Sequence, residues 1–262
     1  MEGKVYTTMV QSPIAFMAME SPLSFMAGDR EPVEEEEALS LRLAIFDLDG
    51  TLIDSEENHY ESDRILLARR GITFSREDKA AFVGKDIVEM TRRIKANYDL
   101  EDDVMALVDE KNALYRKIAL SSSRMYPPMK PLLEALVERG LPMVVATGSN
   151  SFIASEILEG FAAGHYFTHI ISSSEVRRGK PAPDIFLEAA RRMNVRPEET
   201  VVFEDTKYGV EAALEAGMHC AALPGPGDDP QAPIYQRAGF VVPGGPDMLD
   251  PVELLHWMDN LF

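Results

Sequence analysis

Apolar positions along this chain fall into two regimes. Residues 41–47, LRLAIFD, hold a short apolar run, the pattern of a strand buried in a sheet covered on both faces. From about residue 56 to 125 the period lengthens. Ile87, Met90, Ile94 and Tyr98 recur at helical spacing, as do Val104, Leu107, Val108, Leu114 and Ile118. No strand-like run interrupts this stretch, which predicts a small helical subdomain. It closes at SSSRMYPPMKP, Ser121–Pro131, a polar and proline-rich segment suited to a linker or hinge.

Beyond the hinge, short apolar runs alternate with helical patterns. Strands are expected at Pro142–Thr147, in YFTHIIS, at Thr200–Asp205, in MHCAAL and in GFVV. Helices are expected from about residue 150, from PAPDIF, and over YGVEAALEAG, the last ended by Gly217. Such alternation predicts an α/β fold with a doubly wound parallel sheet. The expected organisation is a flexible leader over 1–40, a core from 41–54 and 127–262, and a helical cap over 55–126. Residues about 53–58 and 121–127 would form the two strands of its hinge.

In open α/β sheets ligands bind beyond the carboxyl ends of the strands, so the residues there carry the chemistry. The first strand ends in Asp47, with Asp49 behind it. The second ends in Thr147-Gly148-Ser149, the third connection holds Gly179-Lys180-Pro181, and the fourth strand ends in Glu204-Asp205. Carboxylates converging on one rim cannot all stay ionised without a cation between them. Mg²⁺, which takes oxygen ligands, a few carboxylates and substrate phosphate, is the expected one. A lysine and a Thr/Gly/Ser turn before a helix suit a phosphate, and the turn can cap that helix as well. An Asp beside such a cation can attack phosphorus, and a second Asp can handle the proton. Gly50 allows the tight turn between them and Thr51 can fix it by hydrogen bonding.

Charge narrows the partners. The net charge is -18, from 44 acidic and 26 basic residues, which argues against a general affinity for nucleic acid. A phosphate site must therefore be locally positive or hold a cation. Cys220 is the only cysteine, so an intramolecular disulfide and a Cys2His2 zinc site are excluded; it should pack as a small hydrophobe. No run approaches the roughly 20 apolar residues of a membrane helix. Residues 1–40 hold eight acids and two bases, -6 of the total, with no basic n-region and no continuous apolar stretch. They read as a flexible leader and not as a secretory signal; the expected location is cytoplasmic, with organelle targeting by the leader as the alternative, disfavoured because transit peptides avoid acids.

DLDGT, the T-G-S turn, GKPAPDIF and FEDTKYGVEAA together resemble the four motifs of the haloacid dehalogenase superfamily. The helical insertion after the first strand resembles the branch of β-phosphoglucomutases and small-molecule phosphatases. The likeness spans about residues 41–262. It implies Asp47 as nucleophile and Mg²⁺ ligand, and Asp49 as general acid/base that binds the metal through its carbonyl. It implies Thr147, Gly148 and Ser149 as phosphoryl binders, and Lys180 as the cation that neutralises phosphate and orients Asp47. Asp205 would be a direct metal ligand, and Glu204 either a ligand or a support behind one. Dehalogenases of the superfamily lack the second Asp, so Asp49 implies phosphoryl transfer. In the cap, His59 stands where β-phosphoglucomutases carry a His that couples closure to acid/base function. FVGKDIVEM resembles their substrate-specificity loop, which makes Lys85 a candidate contact. Arg92 and Arg93 read as exposed charge. Those mutases carry an Arg where this chain has Ile87, which favours a phosphatase.

The expected function is Mg²⁺-dependent hydrolysis of a small phosphomonoester (sugar, polyol or nucleotide-like) through an aspartyl-phosphate. The alternative is a phosphomutase. A third reading, a non-catalytic binding protein of the same fold, would be expected to have lost the nucleophile, Lys180 or the acidic pair, and this chain keeps them all. A monomer is expected, acting on a small phosphorylated metabolite, with no nucleic acid or membrane partner.

Overall fold

The computed structural model describes residues 39–80, 87–225 and 227–262. All but the last two residues of the expected leader, and Lys85 with its loop, therefore lie outside the described residues. Strand β1 (Leu43–Phe46) is wholly buried. It pairs in parallel with Met143–Thr147 on one side and Thr200–Glu204 on the other. These are β4 and β6. Outside them lie β5 (Phe167–Ser172), β7 (His219–Ala222) and β8 (Phe240–Val241), giving the order β5-β4-β1-β6-β7-β8, every pair parallel.

Successive strand residues point to opposite faces, and β1 feeds two cores. Leu43 and Ile45 pack with Ile185 and Phe186 of α7 (Asp184–Met193) and Val210 of α8 (Lys207–Glu215). Ala44 and Phe46 pack with Leu132 of α5 (Met129–Glu138), Ile157 of α6 (Ser151–Gly160) and Leu254 of α9 (Pro251–Met258). Helices on both faces make the sheet doubly wound, as its apolar strands predict. The sheet grows from β1 first toward β5 and then, on the other side, toward β8. That reversal leaves a crevice at the carboxyl ends of β1 and β6, the place where such sheets bind ligands.

Between β1 and β4 the chain forms β2 (Ile53–Asp54), then α1 (Glu56–Ala68), α2 (Arg76–Ala80), α3 (Ile87–Asn97) and α4 (Val104–Ser122), and returns through β3 (Arg124–Met125). β2 and β3 pair antiparallel. The insertion has small cores of its own, one of Leu67, Phe74, Met90 and Ile94 and one of Leu66, Leu107 and Leu114.

The paired strands are shorter than expected, because α1 already starts at Glu56 and α4 runs to Ser122. Ser121–Pro131 is no simple linker. It contains the end of α4, all of β3 and the first turn of α5. Prolines disguised that turn: Pro128 is its N-cap and Pro131 its third residue, where no N–H is needed for an intrahelical bond. Helices α5 and α9 were not anticipated. The α9 start was legible, since Asp250 caps Val252 and Glu253 and Pro251 follows it. Among the described residues no helix is long and apolar enough to cross a membrane.

Candidate active site

Asp47 follows the last residue of β1 and its N–H donates to the Phe203 carbonyl of β6 at 3.0 Å. The chain then folds back sharply, with Leu52 and Ile53 N–H both donating to the Leu48 carbonyl at 3.0 Å. Gly50 makes this possible. Its φ is +84°, and a Cβ there would lie 2.2 Å from Asp205 Oδ2. Thr51 Oγ1 donates to Asp205 Oδ1 at 3.1 Å, so this turn and the end of β6 are locked together. Gly209 plays a similar part in α8: a Cβ there would sit 1.8 Å from the Glu204 carboxyl carbon.

Lys180, from the loop before α7, reaches into the crevice. Its Nζ donates to Asp47 Oδ1 at 2.5 Å, to Glu204 Oε1 at 2.5 Å and to the Ala146 carbonyl at 3.1 Å, using all three of its protons. Burial disfavours its charge, but Asp47 and Glu204 outweigh burial and hold its pKa above the usual lysine range. Burial pushes Asp47 up to about 8, with Lys180 opposing and Glu204 and Asp49 adding. Asp205 is raised well above the carboxylate range by burial and then by Glu204 and Asp47.

Asp49 is the opposite case. Burial works against its charge, but His59, Ser149 and Ser55 together hold its pKa well below the ordinary range. His59 Nε2 lies 3.2 Å from Asp49 Oδ1. The hydroxyls of Tyr115 and Ser55 donate to the same oxygen at 2.5 and 2.6 Å. Ser149 Oγ donates to Oδ2 at 2.6 Å and Thr147 Oγ1 lies 3.5 Å from it. The His59 ring stacks on Tyr115, centroids 4.1 Å apart.

The T-G-S turn divides its work. Gly148 and Ser149 line the cavity between sheet and insertion. Thr147 is fully buried, and its hydroxyl accepts from Ser149 N–H at 3.0 Å. The cap of α6 is Asn150, one residue further on. Glu204, expected among the metal residues, gives Oε1 to Lys180 and Oε2 to the N–H and hydroxyl of Thr206, both at 3.0 Å. Arg92 and Arg93 are exposed as expected.

Tyr115, Ser55, Lys79 and Lys111 border or feed this site and were not anticipated. Tyr115 follows Leu114 on a helix of apolar periodicity, a setting that carries no signal of a polar role. Lys111 carried a signal: a lysine between Leu107 and Leu114 interrupts an apolar stripe.

The donor set suits a hard cation. Asp47, Glu204 and Asp205 are all buried at this rim, and the Lys180 ammonium, shared between Asp47 and Glu204, is one positive charge against three carboxylates. Among the described residues no three His, Cys, Asp or Glu side chains converge as a closed cage. An ion taken by two carboxylates would keep positions for water and phosphate, the habit of Mg²⁺.

Residues 44–223 match the family of haloacid dehalogenase-like hydrolases. The chain is 36% identical over 174 residues to the fructose-1-phosphate phosphatase YqaB of Escherichia coli, covering 66% of this chain and 92% of that one. To the phosphorylated carbohydrates phosphatase of Thermotoga maritima it is 28% identical over 182 residues, 68% of this chain and 82% of that one. The solved β-phosphoglucomutase of Clostridium difficile shares the fold, with a TM-score of 0.72 at 22% identity over 84% of this chain and 97% of that one. By sequence match and by fold, this chain belongs to the haloacid dehalogenase-like hydrolase family.

Proposed function

We propose that this chain is a phosphatase that hydrolyses a small phosphorylated metabolite of sugar, polyol or nucleotide-like type, neutral or acidic in the rest of its skeleton, through a phosphorylated Asp47. One observation carries the reading: a single ammonium, Lys180, is held at 2.5 Å from Asp47 at the end of β1, with a second, differently tuned carboxylate two residues on. The relatives named above as phosphatases support it.

Lys180 and the Gly148-Ser149 turn receive the phosphoryl oxygens. An oxygen of Asp47 attacks phosphorus, and the bond from phosphorus to the leaving oxygen breaks. That oxygen needs a proton. Asp49, with His59 3.2 Å away, passes on one carried by the Asp49–His59 pair, and the proton that Asp49 takes from water in the second step restores the pair. Water then attacks the phosphorylated Asp47 with Asp49 taking its proton, and the phosphorus–Asp47 bond breaks to release phosphate. Glu204 holds Lys180 and Thr206 in place. Asp47, Asp205 and the Asp49 carbonyl would hold Mg²⁺, which supplies positive charge for the phosphoryl oxygens when bound. Residues 55–126 act as a cap that swings on the β2–β3 pair and excludes water. We place the enzyme in the cytoplasm as a monomer.

A second reading, return of the phosphoryl group to a sugar, is favoured by the His59–Asp49 contact. Ile87 weighs against it: this apolar residue lines the cavity where the resemblance to mutases would have an Arg.

Phosphate release from a panel that includes hexose 1- and 6-phosphates tests the proposal, run with Mg²⁺, with chelator, and with Asp47→Asn. Release that needs Mg²⁺ and vanishes in Asp47→Asn is expected. Conversion of a hexose 1-phosphate to its 6-phosphate without release would make the chain a mutase, and no reaction at all would leave it a binding protein.

A further inference from the structure

The cap side of the cavity holds a charge cluster that the reaction above does not use. Asp63 on α1 is fully buried. Lys79 of α2 lies 2.7 Å from its Oδ2, and Lys111 of α4 lies 2.6 Å from its Oδ1. Both lysines line the cavity, whereas Asp63 does not. The carboxylate therefore sits behind two ammoniums that face the substrate space.

Each ammonium carries three N–H donors. Lys79 donates one to Asp63 Oδ2, and Lys111 meets Oδ1 as an ion pair. Met90 Sδ, 4.0 Å from Lys79 and 3.8 Å from Lys111, is a weak acceptor at best. Donors remain on both lysines. Among the described residues the charge does not balance either: the ion pairs of these two cations share one anion. The side chains are 14% and 5% exposed, so water compensates poorly, and an unpaired buried charge is costly. Burial, with Lys79 adding to it, draws Lys111 down to about 8, while the two ammoniums outweigh burial at Asp63 and hold it ionised. Glu56 also borders the cavity but is exposed, and the ion pairs of both lysines go to Asp63 instead.

Resting on the phosphatase reading, we propose that Lys79 and Lys111, held in place by Asp63, anchor an acidic group on the substrate's carbon skeleton, away from the scissile phosphate. Its chemistry is an anionic oxygen, from either a carboxylate or a second phosphate. The preferred substrate is then a phosphorylated acid or a bisphosphate, not a neutral sugar or polyol monophosphate.

Matched pairs test this with the full chain and Mg²⁺. Glycerol 3-phosphate against 3-phosphoglycerate, and hexose 6-phosphate against 6-phosphogluconate, examine the carboxylate. Hexose 1-phosphate against hexose 1,6-bisphosphate examines the second phosphate. The acidic member of at least one pair should be preferred by about tenfold or more in kcat/KM, chiefly through KM. Lys79→Met leaves a neutral Lys111–Asp63 pair and should bring that preference toward one. Asp63→Asn removes the balancing anion and, assayed at a pH low enough to keep both lysines charged, should raise it. Opposite movements cannot come from a general loosening of the cap. Equal or better use of the neutral member in every pair overturns the proposal, as does a preference unchanged within about twofold in Lys79→Met. If Asp63→Asn does not fold, the wild-type pairs and Lys79→Met decide. Turnover of an aryl phosphate, lost in Asp47→Asn, reports separately on the phosphatase reading; its absence overturns that reading and takes this anchor with it.

Discussion

Two carboxylates two residues apart are tuned in opposite directions, because a side chain's surroundings set its charge. Asp47 meets one shared ammonium inside a buried, acidic rim, while Asp49 collects hydroxyl donors and a histidine. Replacing Lys180 with Met would leave Asp47 buried without its cation, so its carboxylate would be harder still to ionise. A fall in kcat of about a hundredfold or more is expected, measured on an aryl phosphate; near-normal turnover would remove Lys180 from the mechanism. Tyr115→Phe deletes one donor to Asp49 and keeps the ring stacked on His59. It should lower kcat about tenfold and cost less than about 1 kcal/mol of stability. A large stability loss with normal kcat would make Tyr115 a packing residue. At Gly50, Ala would need both a left-handed backbone and space that Asp205 occupies. Gly50→Ala should cost about 2 kcal/mol or more in a urea melt and most of the activity.

At the scale of elements, Asp63 ties α1 to α2 and α4 through its two lysines. Removing the shared anion leaves two buried ammoniums, so Asp63→Ala should destabilise the chain by about 3–5 kcal/mol at neutral pH. The pH dependence follows from the direction of the shift. Asp63 is more acidic in the folded protein than its ordinary 3.8. Its contribution is therefore present in full above that value and is lost as pH falls through the lower, folded one. The gap between wild type and Asp63→Ala in denaturant melts should narrow below about pH 4; a gap constant to strongly acidic pH would mean that packing, not charge, explains the loss. The α5 start makes a related point about how elements read. Prolines at 127, 128 and 131 look like a broken chain in one dimension, yet two of them sit at the opening of a helix.

For the whole molecule, residues 39–262 cohere as one unit. Deleting residues 1–38 should leave kcat/KM within about twofold and the melting temperature within about 2 °C; a large loss of kcat would show that the segment serves the site. The sequence by itself determined the order of elements and the four strand ends that carry charge. Strand runs such as LAIF and TVVFE announce burial on both faces, and Asp47, Lys180 and Asp205 follow or link such runs at one edge of the sheet. Local pattern reached that far because hydrophobic periodicity and turn chemistry act between near neighbours in the chain. Tertiary structure alone decided which groups share a proton or a charge. Tyr115 lies 66 residues from Asp49 and Lys180 133 from Asp47, and only folding lets burial and those contacts set their pKa values. The same holds for Asp63: in sequence it is one acid on an ordinary helix, and packing against α2 and α4 turns it into the hidden partner of two lysines that face the substrate space.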